Sequence, residues 1–527
     1  MWWLKKRNEK KRNRRVGTGR QDNRRHLRFE GLEDRRLLAA GVVDVQVFPF
    51  LAAGQLNLIG DLSNNEVRIS QTVNVGEYRV DGLNGTLLQL NQAGVTMPSV
   101  TVNGITGNIA VDLRTGNDTF RFDNTFAMPG QPSNVPGDLS IANDDGSNRN
   151  DLDNLMINGD LSIVKAAASS GYSELHILNT TVIGYTTVDN TGGGSGGDTW
   201  TRINNSWLQG NGGPGPAFVL SNGDGQDIID VQGNSQFGIG PFPLGPVILI
   251  SNAAGGSSTR FTGSGAPAGF GTTTVYGDLL IYNGTNLPGT VDTVTFNGSN
   301  VLGDVEIYNG DGNTSVTVTN STLGSHLVAS PFSPEIGSPL MILNDSGFDK
   351  FTMTGSQAPW GVLINNDTSG NNDVWGSAPD ITDSHIGTAP FGPDIQGFPN
   401  AALVLLGDNG RDVVNISGTR FGGTVDLRLF AGNNDLNVLN SSLMPALSFV
   451  TLGGNDTVLI DNSTIQVAIY VRLGSGADRF IVTNVNPATQ WPSALLGMID
   501  INGELGVDTT NLSALALGAL GFEIFVP

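Results

Sequence analysis

The sequence has no cysteine, few charged residues and no long apolar run. Without cysteine among 527 residues, the chain cannot form a disulfide framework, a thiolate metal site or a cysteine nucleophile. No stretch approaches the roughly 18 to 20 apolar residues that span a bilayer, so we expect no transmembrane span. Stability must therefore come from the packing of the chain's own elements.

Basic residues are scarce after the first 36 positions. Residues 37–527 hold 14 of the 28 Lys and Arg against 44 acidic residues, a net charge near −30. Such a surface repels phosphates, so we expect no nucleic-acid partner for this part of the chain. Its only histidines are His176, His326 and His385, and we interpret each as a solvated or turn residue.

Glycine, by contrast, is abundant, with 72 residues, while charged residues make up only 15%. Glycine costs about 1 kcal/mol in a helix interior, and Asn, Ser and Thr compete there for backbone hydrogen bonds. Strands and tight turns accommodate this composition better than helices do. The composition therefore predicts an all-β protein.

The N-terminal 41 residues differ from the rest. Residues 1–36 contain 14 Lys and Arg, and so basic a run cannot bury a core, so we expect it to be disordered. The stretch FEGLEDRRLLA at 29–39 resembles the LEPR-xLL motif of large, repeat-rich surface proteins of planctomycete-type bacteria, with Asp34 in place of the proline. The resemblance implies export. We assign 1–41 to an export or sorting segment and expect a secreted or cell-surface protein.

A unit of about 22 residues recurs along the remainder of the chain. Its clearest copies read LLGDNGRDVVNIS (405–417), LFAGNNDLNVLNS (429–441), TLGGNDTVLIDNS (451–463) and RLGSGADRFIVTN (472–484). Aligned on their Asp, these copies place Asp412, Asp435, Asp456 and Asp478 at spacings of 23, 21 and 22 residues. Self-similarity at a period of 20 to 50 residues indicates a solenoid, a propeller or an array.

Each unit contains two short alternating strands, a Gly/Asn/Asp turn and a Ser/Thr/Asn corner. Val458 and Ile460 in one strand should face inward, and Asn297, Asn320, Asn440 and Asn462 should form side-chain ladders at corners. A propeller blade needs about 40 to 45 residues, and no unit holds a crossover helix. We therefore predict a right-handed parallel β-helix of about 15 coils over 107–515, a β cap over 42–106 and a tail over 516–527.

The Gly/Asp turns suggest calcium. Gly453-Gly454-Asn455-Asp456 resembles the G-G-x-G-x-D repeat of RTX proteins, although here one motif falls in each 22-residue unit, and the resemblance implies calcium binding. Stacked carboxylates about 5 Å apart repel unless they turn away or a cation binds. We predict Asp412, Asp435, Asp456 and Asp478 as calcium ligands. The alternative is that each carboxylate accepts N–H groups of its turn.

These features favour a non-catalytic extracellular or cell-surface protein with a structural or adhesive role. Its expected partner is a cell-envelope or matrix polysaccharide or protein. The alternative is a polysaccharide lyase or glycoside hydrolase, since such enzymes also use β-helices, and Asp144-Asp145 is the one adjacent acidic pair after residue 41. Candidate binding surfaces are the loops expected at 236–246, 252–276, 329–339 and 376–400. Aromatic side chains could also contact a partner if they share a face, and these are Trp200, Trp207, Trp360, Trp375 and Trp491.

Overall fold

The chain divides into a leader unit, Met1–Ala39, and a body, Ala40–Pro527. The computed structural model describes residues 41–510 apart from 49–53, 128–129, 166–170, 193–196, 213–214, 240–245, 264–271, 288, 325–328, 331–332, 335–338, 367–376, 388–393, 396–397, 408, 444–445, 466–467, 484–497 and 507–508. The predicted export segment up to Ala40 and the predicted tail at 516–527 lie outside these residues. Every regular element within them is a β-strand, which confirms the all-β prediction.

Most strands stack in parallel in three sheets, with strands numbered in chain order. Sheet A comprises β1 (Val42–Phe48), β2 (Gln55–Ile59), β5 (Leu87–Leu90), β6 (Thr96–Met97), β8 (Ile109–Asp112), β11 (Leu139–Asn143), β14 (Leu161–Lys165), β17 (Thr186–Asn190), β20 (Phe218–Asn222), β23 (Pro246–Asn252), β26 (Asp278–Asn283), β29 (Val305–Asn309), β34 (Leu340–Asn344), β37 (Val362–Asn365), β42 (Ala401–Leu406), β45 (Thr424–Arg428), β48 (Ala446–Val450), β51 (Ala468–Gly476) and β53 (Met498–Gly506).

Sheet B follows the Gly/Asp turns. It comprises β3 (Glu66–Gln71), β4 (Tyr78–Gly82), β7 (Ser99–Val102), β9 (Thr119–Asp123), β12 (Asn148–Asp153), β15 (Ser173–Leu178), β18 (Thr199–Asn204), β21 (Gly225–Gln232), β24 (Gly255–Thr262), β27 (Val291–Asn297), β30 (Asn313–Thr319), β35 (Asp349–Thr354), β38 (Ser377–Thr382), β43 (Val413–Ser417), β46 (Asp435–Leu439), β49 (Thr457–Asp461), β52 (Arg479–Thr483) and β54 (Thr509–Thr510).

Sheet C follows the Ser/Thr/Asn corners and consists of very short strands. They are β10 (Ser133–Val135), β13 (Leu155–Ile157), β16 (Thr181–Val182), β19 (Trp207–Leu208), β22 (Gln236–Phe237), β25 (Thr273–Val275), β28 (Ser299–Val301), β31 (Thr322–Leu323), β36 (Gln357–Ala358), β39 (His385–Ile386), β44 (Arg420–Phe421), β47 (Ser442–Leu443) and β50 (Thr464–Ile465). Two small antiparallel hairpins complete the described strands, β32 (Ala329–Ser330) with β33 (Ser333–Pro334) and β40 (Asp394–Ile395) with β41 (Phe398–Pro399).

The register shows how one unit stacks on the next. In the C-terminal rungs paired residues are 22 positions apart, as in Asp435 opposite Thr457 and Val425 opposite Leu447, which matches the repeat. Long stacks of parallel strands in three sheets are consistent with the predicted parallel β-helix. At residues 42–102 the pairing is instead largely antiparallel, as between β1 and β2 or β3 and β4.

Alternation along each strand places the core between the sheets. Val458 and Ile460 are buried, as predicted, whereas Thr457 and Leu459 are only partly buried, because successive strand residues point to opposite faces. One continuous apolar core extends from Val43 to Phe480. At the turns the rungs approach so closely that a Cβ at Gly454 would overlap the carbonyl oxygen of Gly432, which only glycine permits.

All four spans predicted to be loops contain strands. The span 236–246 holds β22, 252–276 holds β24 and β25, 329–339 holds β32 and β33, and 376–400 holds β38 to β41. The prediction was wrong over these stretches because their Gly, Ser and Thr content resembles that of a turn. Pairing with neighbouring rungs decides the conformation at β24, which pairs in register with both β21 and β27.

Candidate functional site

One buried polar residue stands at the start of each described sheet B strand from β3 to β52, apart from β4, β7 and β38, and these residues stack in register. We call this set the turn column. Its members are Asn65, Asp118, Asn148, Ser173, Thr199, Asp227, Ser257, Asp292, Thr314, Asp349, Asp412, Asn434, Asp456 and Asp478.

Hydrogen bonds link successive members of the turn column. The N–H of Asn434 donates to Oδ1 of Asp456 at 2.8 Å, and the N–H of Asp456 donates to Oδ1 of Asp478 at 2.8 Å. The other carboxylate oxygen of Asp456, Oδ2, accepts the hydroxyl of Thr451 at 2.7 Å. The side chains of Asp456 and Asp478 therefore each satisfy a backbone donor of the preceding rung, which a buried N–H requires.

The structure brings three of the four predicted calcium ligands into this column. Asp412, Asp456 and Asp478 belong to it, but Asn434 occupies the equivalent position in the unit at 429–441. Asp435 is the next residue, at the start of β46, and its Oδ2 lies 2.5 Å from Nη2 of Arg411. Aligning the units on Asp therefore shifted one of them by a residue.

Both carboxylate oxygens of Asp456 already accept hydrogen bonds from the protein. These contacts fit the alternative, in which the carboxylate accepts N–H and O–H groups of the protein, better than they fit a cation site. Within residues 41–510, leaving out the gaps, no group of three or more His, Asp or Glu is placed to hold a metal ion. Calcium binding at the Gly/Asp turns stays a prediction.

Hydroxyl groups separate several of the column's carboxylates. Thr199 and Thr314 donate to the carboxylates of Asp227 and Asp349 on the following rungs, at 2.6 and 2.7 Å. Burial raises the pKa of Asp227 to about 7 and that of Asp118 to about 6, although hydrogen bonds from neighbouring groups partly offset the effect. Desolvation disfavours the ionised form, so the column is sensitive to pH.

Two further ladders are structural. At the ends of sheet A strands, buried amides hydrogen-bond from rung to rung at 2.6–3.0 Å through Asn190, Asn222, Asn252, Asn283, Asn309, Asn344 and Asn366. At the corner before sheet C, a hydroxyl accepts the N–H of the preceding rung, as Ser441 does from Thr419 at 3.2 Å. The corner hydroxyl contacts explain the Ser or Thr of the frequent Asn-Ser and Asn-Thr pairs.

The predicted corner asparagines form part of this arrangement. Asn320, Asn440 and Asn462 have φ of 48°, 51° and 46°, a left-handed conformation that Asn tolerates. Nδ2 of Asn462 donates to Oδ1 of Asn440 at 2.7 Å, which confirms an amide ladder there. Asn297 precedes its corner, which Gly298 occupies with φ 64°.

A second candidate site lies on the outer face of sheet B. Asp151 and His176 are paired across β12 and β15, and Arg149 is paired with Glu174 beside them. Nδ1 of His176 lies 3.1 Å from Oδ1 of Asp151, and Nε2 lies 3.0 Å from Oε1 of Glu174. Arg149 completes the group, with Nε 2.9 Å from Asp151 Oδ2 and Nη1 3.3 Å from Glu174 Oε2.

This group is held between two other rungs. Arg121 on β9 pairs with Asp151 in register, and its Nε lies 3.8 Å from Oδ2 of that carboxylate. On the other side, Trp200 packs edge-on against His176 with ring centroids 5.5 Å apart, and Arg202 follows His176 in register. We call Arg121, Arg149, Asp151, Glu174, His176, Trp200 and Arg202 the His176 cluster.

Electrostatics hold the carboxylate of Asp151 ionised. Burial alone raises the pKa of Asp151, but hydrogen bonds from His176 and Arg149 outweigh it, and the pKa is lowered. Both ring nitrogens of His176 face carboxylates, and its side chain is only 11% exposed. The imidazole is therefore buried among charged groups, and its interpretation as a solvated or turn residue was wrong.

The remaining sequence candidates do not converge on one place. His385 lies on β39 and is exposed, whereas His326 falls outside the described residues. Trp207 is on sheet C and 38% exposed, and Trp360 is buried. Trp375 and Trp491 are outside the described residues, and Asp144-Asp145 lies in the turn between β11 and β12. The tryptophans with described positions therefore do not share a face.

The comparisons with known proteins concern the leader. Residues 23–42 match a family model described as Planctomycete extracellular. The leader is similar to that of planctomycete extracellular proteins. Neither the curated proteins nor the solved structures yield a match. The match covers the later part of the predicted sorting segment 1–41 and supports a surface protein of the planctomycete type. Among the described residues no helix is long and apolar enough to cross a membrane.

Proposed function

We propose that the protein is a non-catalytic structural element of the cell surface or extracellular matrix, which presents the long faces of its stacked sheets to a partner. The observation that carries this proposal is the leader's similarity to extracellular proteins over residues 23–42. The continuous core and repeated ladders support it, since stacked units build long, rigid surfaces from nearest-neighbour contacts.

Surface proteolysis tests the location. Intact cells that produce the protein are treated with a protease that does not enter them, and an antibody against residues 107–483 follows its loss. We expect the antigen to disappear from intact cells or to be present in the medium, while a cytosolic marker enzyme persists. Antigen that is protected until the cells are lysed contradicts the proposal.

A polysaccharide-cleaving enzyme is the second candidate, and the approach of Asp151, Glu174 and His176 is the observation that favours it. Catalysis by proton transfer needs a ring nitrogen within hydrogen-bond reach of the substrate, whereas both nitrogens of His176 face carboxylates. This geometry favours binding over cleavage. Release of reducing or unsaturated ends from a polysaccharide panel, lost in His176→Ala, would establish the enzyme.

A further inference from the structure

The outer face of sheet B changes character along its length. At the outward position held by His176, most rungs from β27 onward carry uncharged side chains, among them Thr295, Thr317, Thr352, Asn415 and Asn437, and Asp380 on β38 is the exception. In six consecutive rungs, from β9 to β24, the same position holds Arg121, Asp151, His176, Arg202, Asp230 and Arg260. Stacking therefore does not require charge there, and the His176 cluster departs from what the repeat needs.

The cluster's ion pairs contribute too little stability to explain this departure. The side chains of Arg121 and Arg149 are 45% and 42% exposed, and ion pairs exposed to that degree contribute little net stability because solvent screens them. The same exposure leaves guanidinium N–H groups accessible from solvent. A concentration of accessible, prepositioned polar groups is what a binding surface provides.

Aromatic rings border the polar groups. Trp200 packs against His176, and Tyr172, immediately before β15, is 39% exposed. Glu174 and Arg149 are close enough to Tyr172 to influence the pKa of its phenol, which burial raises. Rings with a polar edge offer an apolar face and hydrogen bonding together. Sugars combine the same two features, because their C–H faces are apolar and their hydroxyls donate and accept.

Charge decides between kinds of saccharide. The three guanidinium groups of the cluster are matched in number only when Glu66, 3.1 Å from Arg121, is counted with Asp151 and Glu174. The chain after residue 36 carries a net charge near −30. An acidic polysaccharide would be repelled by that field, whereas a neutral one is unaffected. The carboxylates can accept hydrogen bonds from hydroxyls and the guanidinium groups can donate to them.

We propose that the His176 cluster binds a neutral polysaccharide chain, with Trp200 and Tyr172 as aromatic contacts and Arg149, Asp151 and Glu174 as hydrogen-bonding groups. Four neighbouring strands, spaced by about 4.8 Å, give the site a length of about 14 Å, enough for several sugar units. The inference rests on the proposed surface role and names the class of partner.

Affinity electrophoresis with the purified full chain tests the site. Gels contain one neutral polymer each (xylan, laminarin or galactomannan) or one acidic polymer, polygalacturonate or dextran sulfate. We expect at least one neutral polymer to retard the chain, and retardation to be nearly independent of salt. Titration calorimetry with that polymer should show an affinity about tenfold weaker for Trp200→Ala, the loss of one aromatic contact.

Two further variants keep the result interpretable. Glu174→Gln preserves side-chain shape while removing one carboxylate, so weaker binding with an unchanged melting temperature assigns the effect to the site. Tyr282→Ala is the matched control, because Tyr282 stacks on Tyr308 at 4.7 Å on the outer face of sheet A, away from the His176 cluster. The affinity of this variant for the polymer should equal that of the parent.

Three outcomes would overturn the inference. They are no retardation by any neutral polymer, retardation only by acidic polymers, and equal affinity of the parent, Trp200→Ala and Glu174→Gln. Each leaves the surface location intact, since the protease experiment measures it separately. Binding lost in Tyr282→Ala but kept in Trp200→Ala would place the site on sheet A and equally refute the assignment.

Discussion

The backbone N–H of Asn434 donates to Oδ1 of Asp456, a residue 22 positions later on the next rung. Asp456→Ala removes this acceptor and also the acceptor of the Thr451 hydroxyl. A buried donor left without a partner costs about 1–3 kcal/mol. We therefore expect a clear fall in the melting temperature, measured by circular dichroism.

Asp435→Ala is the matched control for that variant. Its carboxylate pairs only with Arg411 in the described contacts, and the arginine side chain is 65% exposed. A surface pair contributes under about 1 kcal/mol, so the melting temperature should change little. Equal falls in melting temperature for Asp435→Ala and Asp456→Ala would contradict the assignment of Asn434, rather than Asp435, to the turn column.

Asp227 makes stability depend on pH. The pKa of its buried carboxyl is about 7, against an ordinary value of 3.8. Below about pH 3 the group is mostly protonated whether the chain is folded or not. As pH rises towards 7 the unfolded chain ionises first, so its folded form loses stability, by up to about 4 kcal/mol for three units.

Asp227→Asn removes this pH-dependent loss of folded-state stability, because the amide does not ionise. It retains an oxygen that accepts a hydrogen bond from the hydroxyl of Thr199. We expect the variant to melt at a higher temperature than the parent at pH 8 and at nearly the same temperature at about pH 3. Asp230→Asn, on the outer face of the same strand β21, serves as the control and should not show this pattern. A difference of the same size at both pH values contradicts the buried-carboxyl explanation.

Calcium separates the two interpretations of the Gly/Asp turns. Because both oxygens of Asp456 accept protein hydrogen bonds, we expect the same melting temperature in excess EGTA and in millimolar calcium. Differential scanning calorimetry measures this. A calcium-dependent rise that disappears in Asp456→Asn would instead support a cation in the turn column.

The corner conformation can be tested at Asn440, whose φ is 51°. Asn440→Gly should be tolerated, while Asn440→Val should cost about 1–2 kcal/mol because a β-branched residue is strained there. Asn437→Val, in the extended strand β46 of the same unit, controls for the loss of an amide. If both valine variants melt alike, the left-handed corner is not what constrains Asn440.

Much of the fold could be predicted from local pattern. The alternation at Val458 and Ile460 and the 22-residue spacing suffice for stacked strands, since a single unit cannot bury its own apolar face. The Asn-Ser corners at Asn440 and Asn462 could likewise be predicted from the sequence. A positive φ restricts the first corner position to few residue types, and the hydroxyl ladder restricts the second. Spans such as 255–262 were not, because their strand conformation depends on the neighbouring rungs.

The candidate site was less accessible to prediction. Asp151 and His176 are 25 positions apart and become neighbours only through the register of β12 and β15, and insertions make that interval differ from the 22 residues of the later rungs. Aligning the units on the outward-facing positions of their sheet B strands could have revealed Asp151 and His176, since charged residues occupy a position where many later units have Thr or Asn. The same register decides that Asn434, and not Asp435, belongs to the turn column.

By itself, the sequence determined that this chain forms short stacked strands with Gly/Asp turns and hydroxyl corners, because these depend on residues close together in the chain. The tertiary structure alone decided which polar side chains point inward and which charged groups meet on the surface. The physical reason is that a shift of one residue in strand pairing exchanges the two faces, and pairing is set between rungs.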